Sequence, residues 1–179
     1  MIDVNEEIQL MDGVNVEISN SVVKVEGSQG KLEKRFAFPN IELKKQDKKI
    51  QLVSKNASKR EKRMINTFKA HIKNMIKGTL EGFEYKLKIC SSHFPMNVTV
   101  DKNYVTIKNF LGEKVPRKAQ IMPGVKVLVQ GDLIQVSGLD KDMVGQTAAT
   151  IEQTTRVTNR DRRIFQDGCY IVEKPGDEK

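Results

Sequence analysis

The sequence predicts an α+β fold of two tandem, similar domains, each an antiparallel β-sheet packed with one α-helix. Three observations support this prediction. The chain contains an internal repeat, each copy begins with short runs in which apolar and polar residues alternate, and each copy then changes to helical spacing. A length of 179 residues suits one ordinary domain or two compact ones, and the repeat favours two.

The repeat aligns the segment VNVEISNSVVKVEGSQGKL, which begins at Val14, with MNVTVDKNYVTIKNFLGEK, which begins at Met96. This alignment needs no gap, and its offset is 82 residues. After two more residues in the second copy, Pro39 aligns with Pro123 and the offset becomes 84. The two copies therefore share one structural plan.

Strands are predicted where apolar residues recur at every second position, as they do on half-buried antiparallel strands. In the first copy Val14, Val16 and Ile18 show this period, and Val23 and Val25 continue it after a short turn. Turn-forming residues then predict hairpins at Asn20-Ser21, Lys102-Asn103 and Gly131-Asp132. Short hairpins of this kind build a local antiparallel sheet in each copy.

One helix follows the strands of the first copy. Ser58 and Glu61 have the spacing of a capping box, in which the two side chains satisfy backbone N–H groups at the start of a helix. The apolar residues that follow fall on one face of the predicted helix: Met64, Ile65, Phe68, Ile72, Met75 and Ile76. We expect Gly78 to end this helix.

The second copy has a corresponding helix that begins after Asp140, a favoured cap residue. Its apolar stripe consists of Val144, Ala148 and Ile151. Gly145 and Ala149 are small enough to let this helix lie close to the sheet. The predicted domains are residues 1–82 and residues 83–175, with the boundary near Gly78 to Gly82, and residues 176–179 are expected to form a frayed tail.

The charge of the chain favours a polyanionic partner, above all a nucleic acid. Lys and Arg number 31 against 23 Asp and Glu, which gives a net charge of +8 and a pI near 9.4. The charge is uneven, because residues 1–30 carry −5 and residues 31–77 carry +11. Much of this excess is predicted to lie opposite the apolar face of the first helix, on Lys59, Lys62, Arg63, Lys69, Lys73 and Lys77. A merely solvated basic face is the alternative.

Two tighter basic clusters lie in the second copy. The loop GEKVPRKA holds Lys114, Arg117 and Lys118, and the segment RVTNRDRRIF holds Arg156, Arg160, Arg162 and Arg163. Guanidinium groups bind phosphates through two parallel hydrogen bonds and stack on exposed bases, so arginines beside aromatic residues favour nucleic-acid binding. Asp161 and Asp167 could instead pair with some of these arginines as a surface network.

Other classes of protein lack support in the sequence. No apolar run approaches the ~18 residues that a bilayer span needs, and MIDVNEEIQL does not resemble a signal sequence, so we expect neither membrane insertion nor secretion. The distant Cys90 and Cys169 form no CxxC pair and are expected to be reduced thiols without a disulfide.

Enzyme and metal motifs are also missing from the sequence. A Cys2His2 zinc site would have to combine residues whose spacing matches no zinc finger or ribbon: His71, Cys90, His93 and Cys169. Asp140 and Asp142 could be imagined as a catalytic or metal-binding pair, but a helix cap explains Asp140 better. We therefore expect no enzyme, cofactor, metal or small-molecule substrate.

The stretch GLDKDMVGQTAATIEQTTRVTNRDRRIFQDGCYIVEK, from Gly138 to Lys174, closely resembles the archaeal and eukaryotic branch of the large-subunit ribosomal protein family L six. The specific elements are Val144, Gly145, Gln146, Ala148, Ala149, Arg163, Phe165, Asp167, Gly168 and Tyr170. The segment GFEYKLKI and the HFP after it are similar to the same family, so the resemblance extends across nearly the whole chain.

This resemblance implies a structural constituent of the large ribosomal subunit in the cytoplasm. Members of the family consist of two halves, each a sheet with one helix, and pack on large-subunit ribosomal RNA close to the sarcin–ricin loop and the stalk base. The implied partners are that RNA and neighbouring large-subunit ribosomal proteins, with translation GTPases docking nearby.

Two positions depart from the family pattern. Cys169 stands where an aliphatic residue is usual, and we expect it to act as a small packed side chain. The sequence GSQG, at residues 27–30, replaces the more usual Gly-Pro-Lys-Gly, which weakens the case for an RNA contact by that loop.

We expect the second domain to dock on RNA through Lys114, Arg117, Lys118, Arg156, Arg160, Arg162 and Arg163. The basic face of the first helix is expected to add longer-range attraction through Lys62, Arg63, Lys69, Lys73 and Lys77. Two other function classes stay open from the residues alone: a non-ribosomal RNA-binding protein or RNA-processing enzyme, and a protein–protein adaptor that uses the two sheets.

Overall fold

The structure, a computed structural model, describes residues 2–46 and 49–176. It divides into two compact units, one ending at Gly82 and the other beginning at Phe83. Residues 177–179, most of the tail that we expect to fray, lie outside the described residues. Among the described residues, no helix is both long enough and apolar enough to cross a membrane.

The first unit forms two antiparallel sheets and one helix. In chain order its described elements are β1 (Ile2–Gln9), β2 (Asn15–Ser19), β3 (Val22–Glu26), β4 (Lys31–Arg35), β5 (Glu42–Gln46), β6 (Lys49–Ala57) and α1 (Lys59–Leu80). The strand orders are β1-β6-β5 and β2-β3-β4.

The second unit repeats this plan with one additional strand. Its described elements are β7 (Phe83–Cys90), β8 (Asn97–Val100), β9 (Tyr104–Lys108), a 3₁₀ turn (Phe110–Gly112), β10 (Arg117–Gln120), β11 (Val125–Gln130), β12 (Leu133–Gly138), α2 (Lys141–Thr154) and β13 (Gly168–Glu173). The strand orders are β8-β9-β10 and β11-β12-β7-β13.

The strand registers confirm the internal repeat. Val16 pairs with Val25 across the β2–β3 hairpin, and Val98 pairs with Ile107 across β8–β9, which is the offset of 82 residues expected from the sequence. The offset of 84 also holds, because β5 pairs with β6 as β11 pairs with β12. The α+β class and the duplication are therefore confirmed, although each unit divides its strands between two sheets instead of forming one.

The predicted hairpin turns are all present. Asn20 and Ser21 adopt positive φ angles of 46° and 66°, as the tight turn between β2 and β3 requires. Gly131 has a φ of 58° between β11 and β12. In the third turn, the Asp101 amide donates to the Tyr104 carbonyl at 2.8 Å.

Both helix starts follow the sequence prediction. The Ser58 side chain accepts a hydrogen bond from the Arg60 amide, and the Glu61 carboxylate accepts one from the Ser58 amide at 2.9 Å, which completes the capping box. Asp140 caps α2 by accepting a hydrogen bond from the Asp142 amide at 2.9 Å.

The predicted end of α1 at Gly78 is wrong. Gly78 is buried inside the helix, which continues to Leu80 and is followed by Gly82 with a φ of 77°. The backbone can leave the helix at Gly82 because glycine adopts this left-handed conformation without strain.

The GSQG turn caps the same end of α1. The Gln29 amide donates to the Thr79 carbonyl at 2.9 Å, and the Ser28 hydroxyl donates to the Leu80 carbonyl at 3.2 Å. These carbonyls have no partner within the helix, so the turn satisfies them. This structural role accounts for the turn without any RNA contact.

Each unit has its own core between helix and strands. The first core includes Ile8, Val23, Ile50 and Leu52 against Ile65, Phe68 and Ile72 of α1. The second core includes Leu87, Val105, Ile107 and Ile134 against Val144, Ala148 and Ile151 of α2. A Cβ atom on Gly145 would lie 3.0 Å from the Tyr85 hydroxyl oxygen, which confirms that the small residue lets α2 approach the sheet closely.

Candidate nucleic-acid interface

The arginines near the end of the chain lie on the segment 155–167, which joins α2 to β13 and which we call the arginine loop. Buried Thr155 and Val157 anchor its start, and Asp167, with 1% exposure, anchors its end. The Thr155 hydroxyl donates to the Glu152 carbonyl and accepts a hydrogen bond from the Cys169 amide at 2.9 Å. The loop is therefore fixed at both ends. The exposed arginines between these anchors are Arg156, Arg160, Arg162 and Arg163.

A stack of side chains orients part of the arginine loop. The Arg160 guanidinium carbon lies 4.8 Å from the centre of the Phe165 ring, and the His93 ring stacks on the same Phe165 ring with 4.5 Å between centroids. A guanidinium that lies over an aromatic ring is attracted by the π electrons of that ring. Its N–H groups lie in the plane of the guanidinium and still point outward. Arg160 is thus held in place while it can still donate to a ligand.

Asp167 fixes the stack of Arg160, Phe165 and His93 to the rest of the second unit. One carboxylate oxygen accepts hydrogen bonds from the Ser92 and His93 amides at 2.7 and 3.0 Å, and the other lies 2.6 Å from Nδ1 of the His93 ring. Burial alone would raise the pKa of Asp167, but these hydrogen bonds favour the charged form more strongly and lower its pKa below the ordinary value. The loop end is therefore held by a buried, ionised carboxylate.

Arg117 connects the loop before β10 to the start of the arginine loop. Its guanidinium binds both carboxylate oxygens of Glu113, at 2.6 and 2.8 Å, and donates to the Thr154 carbonyl at 2.7 Å at the end of α2. The same group lies over the Phe110 ring, with 4.3 Å to the ring centre. Most of its donors are used within the protein, so we assign Arg117 a positioning role.

These contacts bring together the two basic clusters that the sequence places far apart. The hydrogen bonds of Arg117 lower the pKa of Glu113, and the nearby charge of Arg160 lowers it further, which shows that the clusters share one electrostatic environment. Lys114 and Lys118 are exposed beside Arg117. Arg117 of one cluster and Arg160 of the other therefore both lie near the Glu113 carboxylate.

One arginine of the loop is partly neutralised. Arg163 binds Asp161 with Nη2 to Oδ2 at 2.8 Å, and its backbone amide donates to the other oxygen of the same carboxylate at 2.9 Å. These hydrogen bonds lower the pKa of Asp161. The Arg163 side chain is nevertheless 90% exposed, so a stronger anion can compete for it with Asp161. The surface network that the sequence left as an alternative is thus present, but only for Arg163.

A shallow groove of about 460 Å³ runs beside the arginine loop. Arg156 and Arg162 line it together with Tyr170, a residue that is 39% exposed. Guanidinium groups and an aromatic ring around one groove suit the phosphates and bases of single-stranded RNA.

The basic face of α1 is less positive than the sequence predicts. The Lys69 ammonium lies 2.6 Å from a carboxylate oxygen of Glu6 on β1. The hydrogen bond from Lys69 lowers the pKa of Glu6, and the charges of Lys62 and Lys73 lower it further. The acidic first segment therefore neutralises part of the face. Its exposed members are Lys59, Lys62, Arg63, Lys73 and Lys77.

Cys169 and His93 have structural roles in the second unit. Cys169 is buried, and burial raises the pKa of its thiol to about 11, so the thiol stays protonated and unreactive near neutral pH. Nowhere in the described part of the chain do three or more His, Cys, Asp or Glu side chains gather as metal ligands. His93 instead binds Asp167, as described above.

The link between His93 and Asp167 is not recognisable from sequence alone. The two residues lie 74 positions apart, His93 after β7 and Asp167 directly before β13, and no short motif contains both. Only the HFP segment, which resembles the family, marks His93 at all.

Comparison with known proteins places these features in one family. A family model described as ribosomal protein L6 matches residues 10–82 and 94–168, one match in each unit. The large ribosomal subunit protein uL6 of Methanococcus vannielii is 51% identical over 173 residues, which cover 97% of this chain and 95% of that protein. The protein of the same name from Methanobrevibacter smithii is 44% identical over 171 residues, or 96% of each chain.

Proposed function

The chain belongs to the ribosomal protein L6 family, and from that premise we propose that its arginine loop binds the ribosomal RNA of the large subunit. As a member of this family, in its archaeal branch, the chain is a structural, non-enzymatic protein of the large subunit of the cytoplasmic ribosome. Its partners are ribosomal RNA and other proteins of that subunit.

The observation that supports this proposal most directly is the presentation of four exposed arginines on an anchored loop. Arg156, Arg160 and Arg162 make no ion pair within 4 Å among the described residues, and Arg160 is oriented by Phe165. Because the loop is fixed by buried groups at both ends, little further ordering is needed when it binds phosphates. Such preorganisation favours specific docking over loose attraction.

We propose that the RNA target lies near the sarcin–ricin loop and the stalk base, where translation GTPases bind. The family resemblance supports this location. In this arrangement the protein would support the factor-binding region from the side, and its neighbours would include other large-subunit proteins.

The residues have different roles in this proposal. Lys114, Lys118 and the arginine loop contact RNA, whereas Arg117 holds the two segments together. The exposed lysines of α1 act at longer range, since an ammonium group attracts phosphates without fixing their orientation.

Binding affinity measured across a salt series tests this mode of recognition. We expect affinity for an RNA hairpin that carries the sarcin–ricin sequence to fall with a log–log slope of roughly −4 to −5, because Lys114, Lys118 and the four loop arginines would neutralise about six phosphates. An unrelated hairpin of equal length and charge is the control and should bind more weakly at every salt concentration. A flat salt response, or equal affinity for both hairpins, would contradict the proposal.

A further inference from the structure

The outer edge of β1 is open in the first unit, whereas the corresponding edge in the second unit is covered. The strand orders are β1-β6-β5 and β13-β7-β12-β11, so β1 corresponds to β7. The register confirms this, because Ile8 pairs with Ile50 as Leu87 pairs with Ile134. No strand among the described residues of the first unit takes the place of β13.

A groove of about 540 Å³ lies along this open edge, between β1 and α1. Its strand side consists of Glu7, Ile8, Gln9 and Met11. By the same register these residues correspond to the part of β7, from Lys86 to Cys90, that pairs with β13. The groove therefore occupies the place that β13 fills in the second unit.

The helix side of the groove also corresponds to the residues of α2 that contact β13 in the second unit. The offset of 79 residues between Ile8 and Leu87 also aligns Ile72 of α1 with Ile151 of α2, both fully buried, so Lys73 corresponds to Glu152 and Ile76 to Thr155. In the second unit those two residues hold β13, because the Glu152 carboxylate accepts from the Ile171 amide at 3.0 Å and the Thr155 hydroxyl accepts from Cys169.

The first unit keeps this geometry but changes its chemistry. Lys73 and Ile76 line the groove where the second unit has two hydrogen-bond acceptors, and Lys77 lies one turn further along the helix. Met11 is 60% exposed at the end of the groove. A segment that fits here must therefore supply carboxylates for the lysines and apolar side chains for Ile76 and Met11.

We propose that this groove binds an extended segment of a neighbouring protein, which adds a strand to β1 and places a carboxylate against Lys73. An open strand edge offers main-chain N–H and C=O groups to an added strand, and alternate side chains of that strand then face the helix. Lys69 already binds Glu6, and the Lys77 ammonium lies 3.9 Å from a carboxylate oxygen of Glu81, so Lys73 supplies most of the charge for the incoming carboxylate. This surface involves no residue of the arginine loop and goes beyond RNA binding.

The chemistry of the groove favours a protein over the other possible occupants. An open strand edge pairs with another strand, and Met11 offers an exposed apolar side chain, neither of which RNA requires. A second copy of this chain is disfavoured because the Glu6 and Glu7 carboxylates of its β1 already bind Lys69 and Lys49 and are not available for Lys73.

Amide hydrogen exchange of the full-length protein tests the proposal with capped peptides. The probe is VEVEVE, the control is VKVKVK, and the residues observed are Glu7 to Met11. We expect VEVEVE to slow exchange of alternate amides in this stretch at least tenfold, and VKVKVK to leave them unchanged. Equal protection by both peptides, or by neither, would overturn the proposal.

Charge reversal of Lys73 adds a specific control. We expect Lys73→Glu to weaken VEVEVE binding at least tenfold and to allow VKVKVK to bind, with Lys73→Gln intermediate. Lys102→Glu, in an exposed turn of the second unit, reverses the same charge elsewhere and should change nothing. Unaltered VEVEVE binding by Lys73→Glu would overturn the proposal.

Two further outcomes would also overturn it. Stronger protection of the same amides by an oligo(U) RNA would assign the groove to RNA. Protection that rises with protein concentration, without peptide, would assign it to a second copy of the chain.

Discussion

Asp167 and Arg117 show how single residues prepare the candidate RNA surface without contacting RNA themselves. Asp167 accepts two backbone hydrogen bonds and binds His93. The His93 ring stacks on Phe165, and Phe165 also contacts the Arg160 guanidinium. Arg117 fastens the end of α2 to the preceding loop. Substitutions at these positions should therefore disturb stability as well as binding.

Replacing Asp167 with Asn should destabilise the second unit by about 1–3 kcal/mol at pH 7, because the Ser92 and His93 amides lose a charged acceptor in a buried position. The pKa of Asp167 is lowered in the folded protein, so its stabilising effect is complete above about pH 4 and is lost as pH falls through the folded pKa. The difference in unfolding free energy between wild type and variant should thus shrink in acid.

Chemical denaturation from pH 7 down to pH 2.5 measures this difference. Asp161→Asn is the matched control, since Asp161 also has a lowered pKa but is exposed, and it should leave the free energy of unfolding almost unchanged. Asp167→Asn could lower the free energy of unfolding by no more than the control does, or by an amount that does not depend on pH. Either result would show that the buried carboxylate does not hold the loop.

Lysine cannot replace Arg117 without loss. Arg117→Lys keeps the charge but cannot bind both oxygens of Glu113 and the Thr154 carbonyl together, so we expect the midpoint of thermal unfolding to fall by several degrees. Arg156→Lys, at an exposed position, should leave thermal stability unchanged. Equal stability of the two variants would contradict the positioning role of Arg117.

At the scale of secondary-structure elements, the close contact between the GSQG turn and α1 restricts residue 27 to glycine. A Cβ atom on Gly27 would lie 2.6 Å from the Thr79 carbonyl oxygen, which is closer than the two atoms can approach. The turn must therefore shift away if any side chain is added.

Gly27→Ala should destabilise the first unit by about 1–3 kcal/mol, because the displaced turn no longer caps α1. Denaturation monitored by signals of the first unit measures the change. Ser28→Ala removes only one exposed hydrogen bond from the same turn and should cost less than about 1 kcal/mol. A Gly27→Ala variant as stable as wild type would rule out the close contact.

Elements whose signals are local could be predicted from the sequence. The hairpin at Asn20-Ser21 and the caps at Ser58 and Asp140 each depend on a few adjacent residues, and all three are present. The end of α1 was misplaced because Gly78 is tolerated within a helix that continues to pack. Burial, and not the nearest glycine, decided where that helix ends.

Features that depend on distant residues could not be predicted. The division of each unit into two sheets follows from which strands pair, and alternation within one strand does not specify its partner. Likewise the contact between Glu6 and Lys69 joins residues that are 63 positions apart, so the charge of α1 alone overstated the positive face.

At the scale of the whole molecule, each half carries a complete core, and we propose that each half folds on its own. The cores of the two units contain no common residue. β13 gives the second unit a fourth strand in its larger sheet, which should make this unit the more autonomous of the two.

The fragment 83–179 should therefore give a dispersed amide spectrum and unfold cooperatively without residues 1–82. The fragment 1–82 serves as the comparison and should be folded but less stable. A disordered spectrum from fragment 83–179, recorded under conditions in which the full chain is folded, would contradict the two-domain interpretation.

Competition binding between a cognate ribosomal RNA fragment and an unrelated RNA tests the central claim, that the arginine loop provides specific docking. One variant replaces Arg160, Arg162 and Arg163 with Gln, and the other replaces Lys69, Lys73 and Lys77 with Gln, so both remove the same formal charge. We predict that the arginine variant loses at least tenfold in discrimination, whereas the lysine variant weakens both RNAs to a similar extent. Equal or greater loss of discrimination in the lysine variant would contradict the claim.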